Sequence, residues 1–152
     1  MSITYTINLN PRKCHICGGK VVYTSNDAIY GKQYGSGYCY VCTNCRAYVG
    51  THKDRPLQAL GVLADDRMRE MRKKCHDLFD KTWSTPKERK ERYAELAHKL
   101  GIGVESCHFA YFNTELLEKA YKILFTFSIS FTVQENSSAT CLDVASGCCF
   151  KY

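Results

Sequence analysis

A chain of 152 residues with a net charge of +6 and a mean hydropathy of −0.34 has room for one ordinary domain, or for a metal-stapled module joined to a small helical one. Ten cysteines would suit a secreted disulfide framework. The opening Met1-Ser2-Ile3-Thr4-Tyr5-Thr6-Ile7 lacks the basic stretch and apolar core of a secretory leader, so reduced thiols in a cytoplasm are expected instead. The longest apolar run, Ile123 to Val133, is broken by Thr126, Ser128, Ser130 and Thr132 and is too short to span a bilayer.

Two C-x-x-C pairs lie in the first third: Cys14-His15-Ile16-Cys17 and Cys42-Thr43-Asn44-Cys45. Two intervening residues put both sulfurs of a pair on one tight turn, where they can reach an ion about 2.3 Å away. Together the pairs offer a tetrahedral site for one Zn²⁺. Four thiolates leave no position for a reactive water, so the metal is expected to be structural. Gly18-Gly19 suits the first turn. Two residues compete for places: Cys39 makes Cys39-Tyr40-Val41-Cys42 a second register, and His15 lies inside the first turn. Cys42 with Cys45 is preferred, because Tyr38 to Val41 then leads into the turn as a strand and Arg46 to Gly50 leads out as its partner.

Asp54-Arg55-Pro56 marks a boundary or hinge. From Asp65 onward, Met68, Met71, Cys75, Leu78 and Phe79 recur at steps of three and four residues, which predicts a helix capped by Asp65 or Asp66. Thr85-Pro86-Lys87-Glu88 reads as a capping box with proline at the first helical position, and Gly101 closes that helix after Tyr93, Leu96, Ala97 and Leu100. A third helix is predicted from Asn113 or Thr114, with Leu116, Leu117, Ala120, Tyr121 and Leu124 on its apolar side. Between them, Glu105 to Phe112 reads as a short strand or an extended connector. Phe125 to Val133 alternates apolar with hydroxyl residues, the pattern of a strand. Cys148 and Cys149 are adjacent and chelate poorly, so they and Cys141 are expected as free thiols. The fold class expected is α+β. It comprises a zinc-ribbon β module over residues 1–56, a helical segment of about three helices over 57–124, and a β-prone, cysteine-rich extension over 125–152.

These residues resemble a bacterial and phage zinc-finger-containing domain family of uncharacterised function, often encoded in prophages. The strings that carry the resemblance are Cys14 to Gly18, Ile29 to Gly35 and Tyr40 to Gly50. His52, Arg55 to Leu57, Lys74 to Asp80, Trp83 and Cys107 to Phe112 add to it. The resemblance covers roughly three quarters of the chain and implies a four-cysteine zinc module followed by a helical segment. Two departures stand out: His15 occupies a place where the family usually has proline, and the family pattern normally ends near Leu124.

Charge is uneven. Residues 1–56 carry seven Lys/Arg against two Asp/Glu, and residues 57–124 thirteen against eleven. The excess on the zinc module is compatible with a polyanion, and also with a merely solubilised surface. Tyrosines interleave with these cations, as single-stranded nucleic acid requires, although tyrosine also packs well in strands. The expected nucleic-acid contacts are Lys20, Tyr30, Lys32, Gln33, Tyr34, Arg46 and Lys53. The basic run Arg67 to Lys74 suits either a phosphate backbone or a solvated face held by local ion pairs. His76, Asp80, Cys107 and His108 raise a catalytic reading, but adjacent Cys107 and His108 would point to opposite faces of a strand, and the acidic groups are few for a catalytic metal. The function expected is a non-enzymatic, zinc-stabilised nucleic-acid-binding module of phage or mobile-element origin, indifferent to sequence, in the cytoplasm of a bacterial or phage-infected cell. The alternative is an adaptor or inhibitor of a host defence or replication protein. A metal-dependent nuclease ranks third.

Overall fold

The computed structural model describes residues 7–136, with side chains as far as Ser130. The first cysteine pair sits in a small hairpin: Lys13 bridges Lys20, and the Val21 N–H donates to the Arg12 carbonyl. From there β1 (Val21–Ser25) runs antiparallel to β2 (Tyr38–Cys42), which pairs with β3 (Tyr48–Gly50) in the order β1-β2-β3. Cys39 lies opposite Gly50, Tyr40 opposite Val49 and Val41 opposite Tyr48. This is the hairpin that the preferred register required. Between β1 and β2, the single turn α1 (Asp27–Tyr30) is followed by a loop pinned by Asn26. The buried Asn26 amide donates to the Tyr34 carbonyl at 2.7 Å and accepts from the Tyr34 N–H at 3.1 Å.

After Pro56 the chain returns along β3. Ala59 bridges Thr51, Ala64 bridges Tyr48, and the Leu60 N–H donates to the Gly50 carbonyl. Ala59 and Leu63 therefore join Cys14, Val21, Tyr40, Cys42, Ala47 and Val49 in the core of the zinc module. Ala64, one residue on, belongs to the helical core.

The helical segment opens with α2 (Asp66–Phe79), whose N-cap Asp65 accepts from the Met68 N–H at 2.8 Å. Its buried residues, Met68, Cys75 and Phe79, lie on the predicted stripe. A 3₁₀ turn over Asp80–Thr82 leads to α3 (Pro86–Leu100), where Thr85 and Glu88 form the full capping box and Gly101 ends the helix in the left-handed conformation. Two 3₁₀ turns, Val104–Ser106 and Phe109–Tyr111, occupy the stretch left between strand and connector. Then α4 (Thr114–Asn136) packs chiefly against α2, burying Leu117, Ala120 and Leu124. Phe79, Phe109 and Phe112 fill the centre. The three helices α2 to α4 match the predicted number.

The strand predicted at Phe125 to Val133 is not formed, because α4 runs through it. Its hydroxyls bond backward along the helix: Thr126 to the Lys122 carbonyl at 2.9 Å, Ser128 to that of Phe125 at 2.7 Å and Ser130 to that of Thr126 at 3.1 Å. Such bonds hide the polarity that made the alternation look like a strand, while Phe127 continues the apolar stripe from Leu124. The expected extension beyond residue 136, with Cys141, Cys148 and Cys149, lies outside the described residues. Among the described residues, no helix is long and apolar enough to cross a membrane.

Candidate metal centre

Each cysteine pair is held by a turn of the same construction. In the first, the Gly18 N–H donates to the Cys14 carbonyl at 2.9 Å; in the second, the Arg46 N–H donates to the Cys42 carbonyl at 3.1 Å. Gly18 and Arg46 stand four residues after the leading cysteine of each pair and both take positive φ, 74° and 65°. The next residue turns its N–H toward the trailing sulfur, as Gly19 does to Cys17 at 3.4 Å. Thr43 locks the two turns together, its N–H donating to the Lys20 carbonyl at 2.9 Å.

The four Sγ atoms of Cys14, Cys17, Cys42 and Cys45 lie within 4.8 Å of one another. Cys14 to Cys45 is 3.7 Å and Cys17 to Cys42 is 3.5 Å. A tetrahedron with Zn–S bonds of 2.3 Å has edges of about 3.8 Å, so the donor set and its spacing fit one zinc ion. Gly19 is part of the cradle. A Cβ there would lie 3.0 Å from the Cys42 sulfur, 3.2 Å from that of Cys17 and 2.8 Å from the Asn44 side chain. The two competitors are placed elsewhere. Cys39 is fully buried in β2 with its thiol directed at the Ser25 carbonyl at 3.9 Å, and His15 donates from Nε2 to the Leu63 carbonyl at 2.8 Å. A family model described as a zinc-finger-containing domain matches residues 10–126.

The chain belongs to that family. No curated protein and no solved structure matches it. In this zinc-finger-containing domain the four cysteines support one structural zinc, and the protein prepares for it electrostatically. The Asn44 side chain and then the Gly19 N–H hold the Cys17 thiol down at about 6. At Cys45 the Ala47 N–H pulls down, but desolvation and the three neighbouring sulfurs outweigh it and push the thiol up to about 12. Cys17 is thus the readier thiolate, and zinc must displace the proton that Cys45 holds.

The other predicted contacts fall in three places. Tyr30 and Tyr34 meet edge to face at 5.8 Å and line one cleft of about 130 Å³ with Tyr38, Ser36, Thr51 and Leu60. Lys32 and Gln33 are exposed on the same loop. Lys20 follows the first cysteine turn in the bridge to Lys13, Arg46 stands in the second turn, and Lys53 is exposed on the turn after β3. Four of the five cations of α2 serve internal ties. Arg69 lies over the Tyr48 ring at 4.1 Å, pairs with Asp66 at 2.6 Å and reaches the Ala64 carbonyl. Arg72 donates to the carbonyls of Val62 and Ala110, while Lys74 pairs with Glu70 and Arg67 with Glu118. The clasp made by Arg69 and Arg72 carries no sequence signal beyond its charge.

The residues of the catalytic reading do not converge. His76 packs on Phe109, His108 on Tyr111, and Asp80 accepts from the Trp83 indole. Burial pushes the Cys107 thiol up to about 12, away from nucleophilic use. Among the described residues, the four cysteines are the one group of this kind able to hold a metal.

Proposed function

We propose that this domain is a non-enzymatic nucleic-acid-binding module of phage or mobile-element origin, working in the cytoplasm of a bacterial or infected cell. The observation that carries the reading is the Tyr30–Tyr34 cleft. Two of the predicted contacts wall it, and the exposed Lys32 and Gln33 ride on the same loop. Exposed rings give bases a stacking surface, and neighbouring cations meet phosphates at little cost in sequence specificity. Zinc supplies the folding energy that the small core of the module cannot.

A salt-titrated binding assay on DNA and RNA, with metal content measured on the same sample, tests it. Affinity should fall steeply with salt, and Lys32→Ala should weaken binding and flatten the slope by about one counterion. Absence of affinity for any nucleic acid at low salt overturns the proposal. The second reading, an adaptor or inhibitor of a host protein, draws on Phe125 and Ile129, one turn apart on α4 and 49% and 52% exposed. It predicts capture of a host protein that survives nuclease treatment and is lost on Ile129→Lys.

A further inference from the structure

We infer that the strand held by this module is a single one, and that it lies along a track of tyrosines on the β1–β2 sheet, running from Tyr38 to a groove beside Pro11 and Leu57. The inference rests on the nucleic-acid reading above. The track exists because of the register: Tyr23 lies opposite Tyr40 and Ser25 opposite Tyr38, which puts Tyr23, Tyr38 and Tyr40 on one face. The Tyr23 and Tyr38 rings stack at 5.2 Å with only 13° between their planes, and Tyr40 tilts against Tyr23 at the same centroid distance. Tyr23 and Tyr40 wall a groove of about 330 Å³ that Arg12 and Leu57 complete, whereas Tyr30 packs edge to face on Tyr48, which lies opposite Val41 and so on the other face of the sheet. The row of rings therefore leads into this groove and is separate from the Tyr30–Tyr34 pair.

The members of the row differ. Tyr40 is 8% exposed, and its phenol donates to the Leu57 carbonyl at 2.7 Å with the Asn10 side-chain oxygen 3.1 Å away, so it is a positioning residue. Tyr23 and Tyr38 are 37% and 41% exposed, and neither phenol reaches a hydrogen-bond partner among the described residues. Leu57 beside them is 63% exposed. A sheet face in water can be covered by threonine or lysine, so an open stacked pair of rings next to an open leucine is apolar surface waiting for a ligand.

Charge selects the ligand. Arg12 lines the groove into which the row leads, and residues 1–56 contain only two acids. Of these, Asp54 is paired with Arg55, and the Asp27 carboxylate accepts from the Ala28 N–H of its own turn. A polyanion with flat apolar faces fits this surface. In a duplex those faces are already stacked on one another, so only unpaired bases can use the rings.

The test is fluorescence anisotropy at fixed salt with three labelled probes, an oligothymidine, the same oligomer without bases, and a duplex. Wild-type protein should bind the oligothymidine at least about tenfold more tightly than either of the others. Tyr23→Leu and Tyr38→Leu, which keep apolar bulk but remove the ring, should each lose about tenfold on the oligothymidine and nothing on the abasic probe, with zinc content as the check on folding. Equal wild-type affinity for abasic and base-bearing oligomers overturns the track even if a variant fails to fold. So does unchanged binding by folded variants; in both cases salt-dependent binding would leave the nucleic-acid reading standing. No binding to any probe at low salt is a different failure, since it removes that reading and the track with it.

Discussion

The two halves of this chain solve the same folding problem by different means. The helical half buries three phenylalanines, Met68 and several leucines between α2, α3 and α4, a core that stabilises itself by removing apolar surface from water. In the zinc half, two of the eight core residues are the ligands Cys14 and Cys42, and most of the rest are alanine and valine, with Tyr40 and Leu63 the only large ones. A core of that size does not offset the entropy of ordering some fifty residues. A half whose fold is secured by an ion can leave Tyr23, Tyr30, Tyr34 and Tyr38 facing water, whereas the helical half turns Phe79, Phe109 and Phe112 inward and exposes Phe125 only at its far end.

Removing the metal should break this comparison most visibly. A strong chelator, or Cys42→Ser, takes away a contribution of about 10–16 kcal/mol in apparent terms. Amide protection across β1, β2 and β3 should vanish while the helical circular dichroism of α2 to α4 largely persists. Loss of both halves together would mean that the helical core depends on the zinc module, contrary to the division drawn here.

Next in size is the joint between the halves. Gly61 lies flat against the carbonyl and side chain of Ala110, where any Cβ would collide with backbone, and the adjacent Val62 N–H donates to that same carbonyl at 2.9 Å. Gly61→Ala must push the two halves apart at a cost of about 3 kcal/mol. It should turn a single thermal transition into two, with zinc stoichiometry unchanged.

That joint was not legible in the sequence, and the reason is physical. Helices α2 and α3 announced themselves through Asp65, the Thr85 and Glu88 box and Gly101, because caps are local chemistry. The metal site was legible because a C-x-x-C turn is local too. Residues 58–64 act through single bridges to Tyr48 and Thr51, which leave no period to read. The Tyr23, Tyr38 and Tyr40 row needs the strand register, and register is fixed by pairs far apart in sequence. At Phe125 to Val133 the pattern misled, since helical hydroxyls that bond to their own backbone look like the outer face of a strand.

A smaller effect separates the halves by pH. Burial pushes the thiols of Cys75 and Cys107, both in the helical core, up from an ordinary 9.0 to about 12. Each raised value favours the folded state fully below pH 9, where folded and unfolded thiols are both protonated. The unfolded chain then ionises first, so that contribution is lost progressively as pH rises from 9 towards 12. Chemical denaturation of chelated protein, which reports the helical half, should show stability declining across that window, and Cys75→Ala should make the decline shallower. At neutral pH the same two thiols should react with a disulfide reagent only after denaturant is added, whereas chelation alone should release the four ligand thiols and Cys39, which is buried in β2.

The smallest expected effect distinguishes the two cysteine turns themselves. Gly18 and Arg46 occupy equivalent places at φ values of 74° and 65°, yet only glycine takes that conformation without a steric cost, which for other residues is about 1 kcal/mol. Arg46→Gly should therefore raise the stability of the zinc module by about 0.5–1 kcal/mol, partly offset by the freer unfolded chain, while Gly18→Ala should lower it by a similar amount. An arginine at a backbone position that favours glycine is explained if its side chain is used, and backbone strain of this kind gathers at functional positions. Arg46→Gly should then weaken nucleic-acid binding and reduce the salt slope by about one. A variant that is more stable and binds as before would show that the arginine serves the charge balance of the thiolate cluster alone, and that the phosphate contact must come from Lys20 or Lys32 instead.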